Sequence, residues 1–474
     1  MNPTCHQFNA NAHAALADAT LQQALGNVGR GFVVKRRAAL DALPEFEVLR
    51  ESARAIKDHT LAHLDQYLVQ FEMRVNEAGG EVHWARNARE ACDIVIGLCR
   101  EAGARRVTKG KSMVSEEIGL NEALADAGFE RVETDLGEYI IQLAEEPPSH
   151  IIAPAIHKTR GQIARLFEAA HEGLERKTPL ETVPSIVDEA RAVLRDKFLS
   201  ADVGITGANF LIADTGSVVV VTNEGNGDLT ATLPRMHIVT AGIDKVVPTL
   251  EDASVLLRLL ARSATGQPFT AYTTLFTGPR RRGDVDGPDR FHVVLVDNGR
   301  TAMLEDGFGD MLRCIRCGAC LNHCPVYGAV GGHAYGWVYP GPMGSVLTPR
   351  MMGLERAAEL PGASTLCGRC EAVCPMSIPL PRLLRRLRTQ AFEAKITPAR
   401  TRLALRAWAL LARRPRLYRQ VMNLGMRLLA GLGRRHGRFT RLPFAGGWTA
   451  ARDFPAPQGA SFQTQWRKRA GERP

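Results

Sequence analysis

Through roughly the first sixty residues after the N-terminus, apolar positions recur every third or fourth residue (ADATLQQALGNVGRGFVVKRRAALDALPEFEVLRESARAIKDHTLAHLDQYLVQFEMRV), with charged residues between them. That period lays an apolar stripe along one helix face and predicts a helical opening over residues 1–75. From about residue 80 the pattern shortens, and β-rich runs alternate with helical ones: EVHWA, a helix through ARNAREACDIVIGLCREAG, RRVTKGK, EEIGLNEALADAG, then RVETDLGEYIIQLA. Alternation of this kind predicts an α/β domain with a largely parallel sheet. The segment from Pro154 to Lys197 reads as two amphipathic helices joined at TPLETVPS. Strand texture resumes at DVGITGANFLIADTGSVVVVTNEGN, where Ser217–Val221 reads as a buried strand ending in a Gly/Asn turn. It continues through HIVTAGIDKVV to FHVVLVDN, and Asn298-Gly299 closes the α/β domain, which is expected over residues 76–300.

The chain has 474 residues, 45% hydrophobic and 23% charged, which suits several globular domains with sizeable cores. No run of eighteen or more apolar residues occurs, and the N-terminus lacks a basic start leading into an apolar stretch. A cytoplasmic location is therefore expected. The net charge of +10 is lopsided: residues 391–474 hold eighteen Lys and Arg against Glu393, Asp453 and Glu472, leaving −5 for the rest. This basic C-terminal domain includes RLALRAWALLARRPRLYRQVMNLGMRLLAGLGRRHGR, read as one basic amphipathic helix with Pro415 inside. It suits docking on a protein partner or on the chain itself, or peripheral contact with an anionic membrane. No groove-reading motif accompanies it, so nucleic acid is not an expected partner.

Chemistry concentrates between residues 301 and 390, where seven of the ten cysteines fall. Cys314-Ile-Arg-Cys317-Gly-Ala-Cys320-Leu-Asn-His-Cys324-Pro325 has the C-x2-C-x2-C-x3-C-P spacing of ferredoxin-type ligation. Three thiolates on one loop grip a cubane, while the fourth cysteine serves the other cluster. The second run, Cys367-Gly-Arg-Cys370-Glu-Ala-Val-Cys374-Pro375, keeps the last three positions, and Ser364 stands at the first. Crossed ligation then assigns Cys314, Cys317, Cys320 and Cys374 to one [4Fe–4S] cluster, and Cys324, Cys367 and Cys370 to a second. With only three thiolates, the second is expected to fall to a [3Fe–4S] form on oxidation. Structural zinc is the plain alternative, but it seldom shows four cysteines in eleven residues followed by proline. His323 reads as a neighbour of the cluster loop, and His333 as structural or as a candidate for the open corner. The long spacing between the runs fits a helical ferredoxin-like module with an inserted Gly/Pro loop. No G-x-G-x-x-G follows a strand and no P-loop occurs, so the chain has no flavin, NAD or nucleotide fingerprint.

Two loops of the α/β domain are candidate ligand-binding elements. Lys109, Lys111 and Ser112 form a turn before a helix expected to begin near Glu116, an arrangement able to hold an anion. Asn223 and Glu224 lie in a Gly-rich turn at a strand end, and the two loops together would line a cleft outside the sheet. Solvated turns are the plain alternative for both, and no catalytic residue is assigned.

The succession KGKSMVSEEIGLNEAL, DLGEYIIQLA, PSHIIAPAIHKTR, GITGANFLIADTGSVVVVTNEGNG, CIRCGACLNHCPVYGAVGGHAYGWVYPGPMGSVLTP, TLCGRCEAVCP and RDFPAP closely resembles the lactate utilisation protein B family over nearly the whole chain. The resemblance implies an α/β LUD domain of the NagB/RpiA/CoA-transferase-like class, then an α-helical ferredoxin-like two-cluster module and a short C-terminal domain. It also implies action with a cysteine-rich partner protein and a second LUD protein in oxidising L-lactate to pyruvate. In that family the second cysteine run also has three members. A rival reading is a CoA- or sugar-phosphate-handling enzyme with structural or regulatory clusters, in which Glu224 would be a nucleophile by analogy of fold.

Overall fold

Ten strands arise in the α/β region: β1 (Glu81–Ala85), β2 (Arg106–Lys109), β3 (Glu130–Glu133), β4 (Val203–Gly207), β5 (Phe210–Ile212), β6 (Ser217–Thr222), β7 (Met236–Gly242), β8 (Val246–Val247), β9 (Tyr272–Phe276) and β10 (Arg290–Val296). The computed structural model of the chain describes residues 3–171, 179–442, 445–449 and 452–471. Six strands pair in parallel in the order β1-β10-β7-β4-β2-β3. A parallel sheet must be covered on both faces, and the alternation along β10 shows how. Val294 and Val296 pack with Val95 and Leu98 of the helix Ala88–Glu101, while Val293 and Leu295 pack with Leu68 and Phe71 of the helix Leu64–Glu77. Asn87 starts the first of these helices by accepting from the Glu90 N–H at 3.0 Å.

The apolar run at Ser217 is a strand, but it belongs to a second, mixed sheet of order β8-β5-β6-β9. Only four residues separate β5 from β6, too few for a crossover, so the two pair antiparallel. Gly216 makes the return at φ +67°.

Direction changes within the parallel sheet fix where a ligand can enter. After β2 the chain moves outward to β3, whereas after β4 it moves the other way to β7. The carboxyl ends of β2 and β4 therefore diverge and open a crevice. The helix expected near Glu116 begins earlier, at Met113, because Ser112 caps it by accepting from the Ser115 N–H at 3.2 Å. Helices Arg160–Ala170 and Val183–Leu199 start on the capping threonines Thr159 and Thr182. Their predicted connection TPLETVPS begins at residue 178, and residues 172–178 lie outside the described residues.

The chain divides into the units Met1–Ala391 and Phe392–Pro474. Within the first, the cysteine-bearing segment is built from short helices such as Ala319–Asn322, Pro325–Val330 and Arg369–Ala372, with longer ones at Gly341–Met352 and Leu380–Glu393. Its apolar residues share one core with Phe8, Phe46 and Leu49 of the N-terminal helices and with Phe210 and Val219 of the second sheet. In the second unit, the expected single helix is two, Ala399–Ala412 and Pro415–Gly433. Pro415 opens the second helix instead of lying inside one, because its fixed φ and missing N–H are tolerated only in a first turn. No helix among the described residues is long and apolar enough to cross a membrane.

A buried ion network locks the first unit. Arg300, 1% exposed, donates to both carboxylate oxygens of Glu117 at 2.8 and 2.9 Å and to Asp244 at 2.5 Å. Tyr339 of the cysteine segment donates to the same Glu117 carboxylate at 2.6 Å, and Asn298 donates at 2.8 Å. Burial raises both carboxyls, yet their surroundings together outweigh it and hold each below the ordinary carboxylate range: Arg300, Tyr339 and Asn298 at Glu117, and Arg300 with Arg316, Lys245 and Lys57 at Asp244. Arg300→Met would leave the buried Glu117 without its cation and Asp244 without its closest one, at a cost of about 3–5 kcal/mol in thermal or denaturant unfolding near pH 7. In the native protein the two depressed carboxyls contribute stability that is full above about pH 4, the unfolded carboxylate range, and is lost as pH falls toward their folded values. The variant, whose carboxyls are held down less, should show a deficit that narrows between pH 7 and pH 4. A deficit constant across that range would exclude this network as its source.

Candidate iron–sulfur centre and adjoining cavity

Both cysteine runs adopt the same local structure. Arg316 and Leu366 take left-handed backbone at φ +59° and +54°, and Gly318 and Gly368 follow at +76° and +80°. The glycines then open one-turn helices, Ala319–Asn322 and Arg369–Ala372, which carry Cys320 and Cys370. In this repeat Ser364 stands where the first run has Cys314. The Ser364 hydroxyl accepts from the Leu366 N–H at 3.1 Å, and it is the Thr365 hydroxyl that hydrogen-bonds the Cys367 thiol. His323 is bonded to the Ala319 carbonyl at 2.9 Å. His333 meets the Pro147 carbonyl at 2.8 Å and packs against the His157 ring at 4.4 Å, with Glu146 completing that group.

The thiols gather across the two runs. Cys314, Cys317, Cys320 and Cys374 line one small apolar cavity, with Ile151 and Met343 among its other walls. Burial raises the Cys320 thiol first, and then its neighbours Cys314, Cys317 and Cys374 raise it further. Cys370 is pushed up to about 12 by burial, with Cys324 and Cys367 adding to it. Cys367 differs: it is exposed, and the Arg369 N–H and the Thr365 hydroxyl lower its thiol. Four thiols gathered on one cavity would hold an iron–sulfur core, whose positive charge would relieve the mutual repulsion of the thiolates. Two arginines from the N-terminal helices steady the second run: Arg36 donates to the Val373 carbonyl at 2.9 Å and Arg50 to the Cys374 carbonyl at 2.7 Å.

Beside the first thiol group, at the crevice outside β2 and β4, lies a cavity of about 250 Å³. Of the ligand residues expected from sequence, Lys111, Ser112, Asn223 and Glu224 meet in its wall. Lys109 does not: it is 1% exposed, and its ammonium lies 2.9 Å from both Glu116 and Glu133. Lys111 donates to the Ile152 carbonyl, and Asn223 accepts from the Ala271 N–H at 3.2 Å. Partial desolvation raises the Glu224 carboxyl, and Asp135 raises it further. Asn223 and Glu224 are exposed and form the rim, whereas Lys245, Ile315, Arg316 and Tyr339 are buried and form the floor. Burial lowers the Lys245 ammonium to about 8, with Arg316 adding to the effect. Ile151, Ile315 and Arg316 line this cavity and the thiol cavity alike, so the two share a wall. Lys245 and Arg316 were not anticipated from sequence, although Arg316 stands between Cys314 and Cys317.

Three family profiles match in succession: the LUD domain over residues 68–296, a 4Fe-4S dicluster domain over 310–378, and the C-terminal region of lactate utilisation protein B over 390–471. The chain is 42% identical to an uncharacterised electron transport protein of Escherichia coli strain K12, covering 97% of this chain and 96% of that one. It is 42% identical to lactate utilization protein B of Lysinibacillus sphaericus strain C3-41 (99% and 98% covered) and 43% identical to that of Shouchella clausii strain KSM-K16 (98% and 97%). A crystal structure of a DUF162 family protein from Deinococcus radiodurans covers 49% of this chain and 98% of that one, at 19% identity and a TM-score of 0.26, too slight a likeness to carry an argument. Full-length identity of this order to curated relatives, with all three profiles in order, shows that the chain belongs to the lactate utilisation protein B family.

Proposed function

We propose that this chain is an electron-transfer protein of an L-lactate-oxidising system, in which Cys314, Cys317, Cys320 and Cys374 hold one [4Fe–4S] cluster and Cys324, Cys367 and Cys370 hold a second. When bound, such clusters supply one-electron chemistry, which suits division of the two electrons released as lactate becomes pyruvate. The observation that carries the reading is the shared wall: Ile151, Ile315 and Arg316 line both the LUD cavity and the cavity of the first thiol group. A ligand of that cavity sits against the buried group, while exposed Cys367 leaves the second group within reach of a protein partner. In this reading residues 1–75 brace the cysteine runs through Arg36 and Arg50, 76–300 form the ligand platform, 301–390 hold the clusters, and 391–474 dock a cysteine-rich partner, a second LUD protein or a membrane surface from the cytoplasmic side. The rival CoA or sugar-phosphate reading has less support, because the full-length relatives are named for electron transport and lactate utilisation.

Anaerobically prepared protein should contain about eight iron atoms and seven to eight sulfides per chain by elemental and sulfide assay. Stoichiometric zinc with negligible sulfide would refute the cluster assignment. Cys320→Ser and Cys374→Ser should alter the same paramagnetic resonance signal, and Cys324→Ser the other one. If Cys320 and Cys324 serve one signal, ligation is not crossed. With its partner proteins present, L-lactate should bleach the visible cluster absorbance. Turnover of an acyl-CoA that survives loss of iron, with no lactate-driven bleaching, would favour the rival reading instead.

A further inference from the structure

Four buried cations, Lys57, Lys245, Arg300 and Arg316, gather around two buried carboxylates, Glu117 and Asp244, with the Cys314 sulfur beside Lys245 and Arg316, so that even with Cys314 as a thiolate one positive charge is in excess under the LUD cavity. Their partners separate them. Arg300 is saturated by Glu117 and Asp244, and Lys57 donates to the carbonyls of Asp244 and Val246 at 2.6 and 3.2 Å. Arg316 is held only loosely: its guanidinium stacks 5.0 Å over the Tyr339 ring and stands 3.9 Å from the Asp244 carboxylate, and its Nη1 has no hydrogen-bond partner. It is 9% exposed and lines the cavity together with Lys245. A buried guanidinium donor without an acceptor costs folding free energy, and an anion placed there would recover it through a charge-assisted hydrogen bond.

Other walls of the cavity narrow the class of that anion. The Thr222 hydroxyl and the Asn226 amide oxygen are also buried, line the cavity and lack partners, so a ligand with hydroxyl or oxo groups would satisfy them. Ile151, Ile315 and Leu260 add an apolar wall, and toward the rim Asp135 and Glu224 outnumber Lys111, which disfavours a ligand with several negative charges. We infer that the floor of the LUD cavity is a carboxylate-recognition site, built by Arg316 and Lys245, for a small hydroxy- or oxo-monocarboxylic acid. The site rests on the electron-transfer reading only for the choice of acids to try; its charge and its unpartnered groups stand independently.

The test is calorimetric titration of anaerobic, iron-loaded protein with L-lactate, pyruvate, FMN and coenzyme A, with no partner protein added. Wild type should bind at least one of the two acids, and neither FMN nor coenzyme A should compete. Lys245→Met and Arg316→Gln should each weaken that binding by about 10- to 100-fold, the range of a lost hydrogen bond to a charged group. Lys245→Arg should bind within a few-fold of wild type. Should Arg316→Gln fail to retain iron, the Lys245 pair decides the matter alone. The proposal is overturned if wild type binds neither acid at millimolar concentration, if FMN or coenzyme A occupies the site instead, or if Lys245→Met binds as wild type does. A shift in cluster reduction potential without loss of binding would mean that the cations serve only to balance the thiolates. Acid binding without lactate-driven bleaching would leave this site standing and sink the electron-transfer role, whereas bleaching without acid binding would do the reverse.

Discussion

Within the first unit, the buried Arg300 guanidinium ties the parallel sheet to the cysteine segment. Its two carboxylate partners come from different places in the sheet: Glu117 from the helix after β2, and Asp244 from the turn after β7. Arg300 itself follows β10, and Tyr339 brings the cysteine segment to the same Glu117 carboxylate. A buried ion pair adds little net stability over a well-packed apolar core, but it tolerates no other arrangement, since each charge left alone is expensive. The network therefore sets position more than stability. It holds Lys245, one residue beyond Asp244, and Tyr339, beneath the Arg316 guanidinium, at the floor of the cavity.

With that floor in place, the cysteine runs have little freedom. Each run is a short loop with one left-handed residue, one glycine and a single helical turn, and neither could bury much surface alone. They are held because their apolar residues join a core shared with the N-terminal helices and the second sheet, and because Arg36 and Arg50 occupy carbonyls at the end of the second run. The two thiol groups end in different surroundings, one enclosed against the cavity and the other including the exposed Cys367.

Several features were legible in the sequence because near neighbours decide them. The 3.6-residue period of the N-terminal helices, the strand–helix alternation and the spacing of Cys314, Cys317, Cys320 and Cys324 are all set within a few residues along the chain. The two ligand loops were also recognisable, because strand ends followed by Gly, Ser and Asn mark turns wherever they occur. Lys111, Ser112, Asn223 and Glu224 accordingly meet at one cavity.

What the tertiary structure alone decided is which of these local pieces face one another. Lys109 and Lys111 are two residues apart and look alike in sequence, yet β2 ends at Lys109, whose ammonium is taken by Glu116 and Glu133, while Lys111 lies in the turn beyond the strand at the cavity wall. Arg316 and Lys245 carry no sequence signal as a pair, since seventy residues of chain separate them and only the folded Asp244 turn brings them together. The strand at Ser217 joined the second sheet because a four-residue turn permits only an antiparallel neighbour. Pro415 began a helix instead of interrupting one because a first turn has no use for its missing N–H. Periodicity, caps and ligand spacing are determined by the sequence itself because their energies are short-ranged along the chain. The cavity floor, the thiol grouping and the choice between equivalent lysines belong to the fold, because burial and charge pairing act through space between residues the sequence keeps far apart.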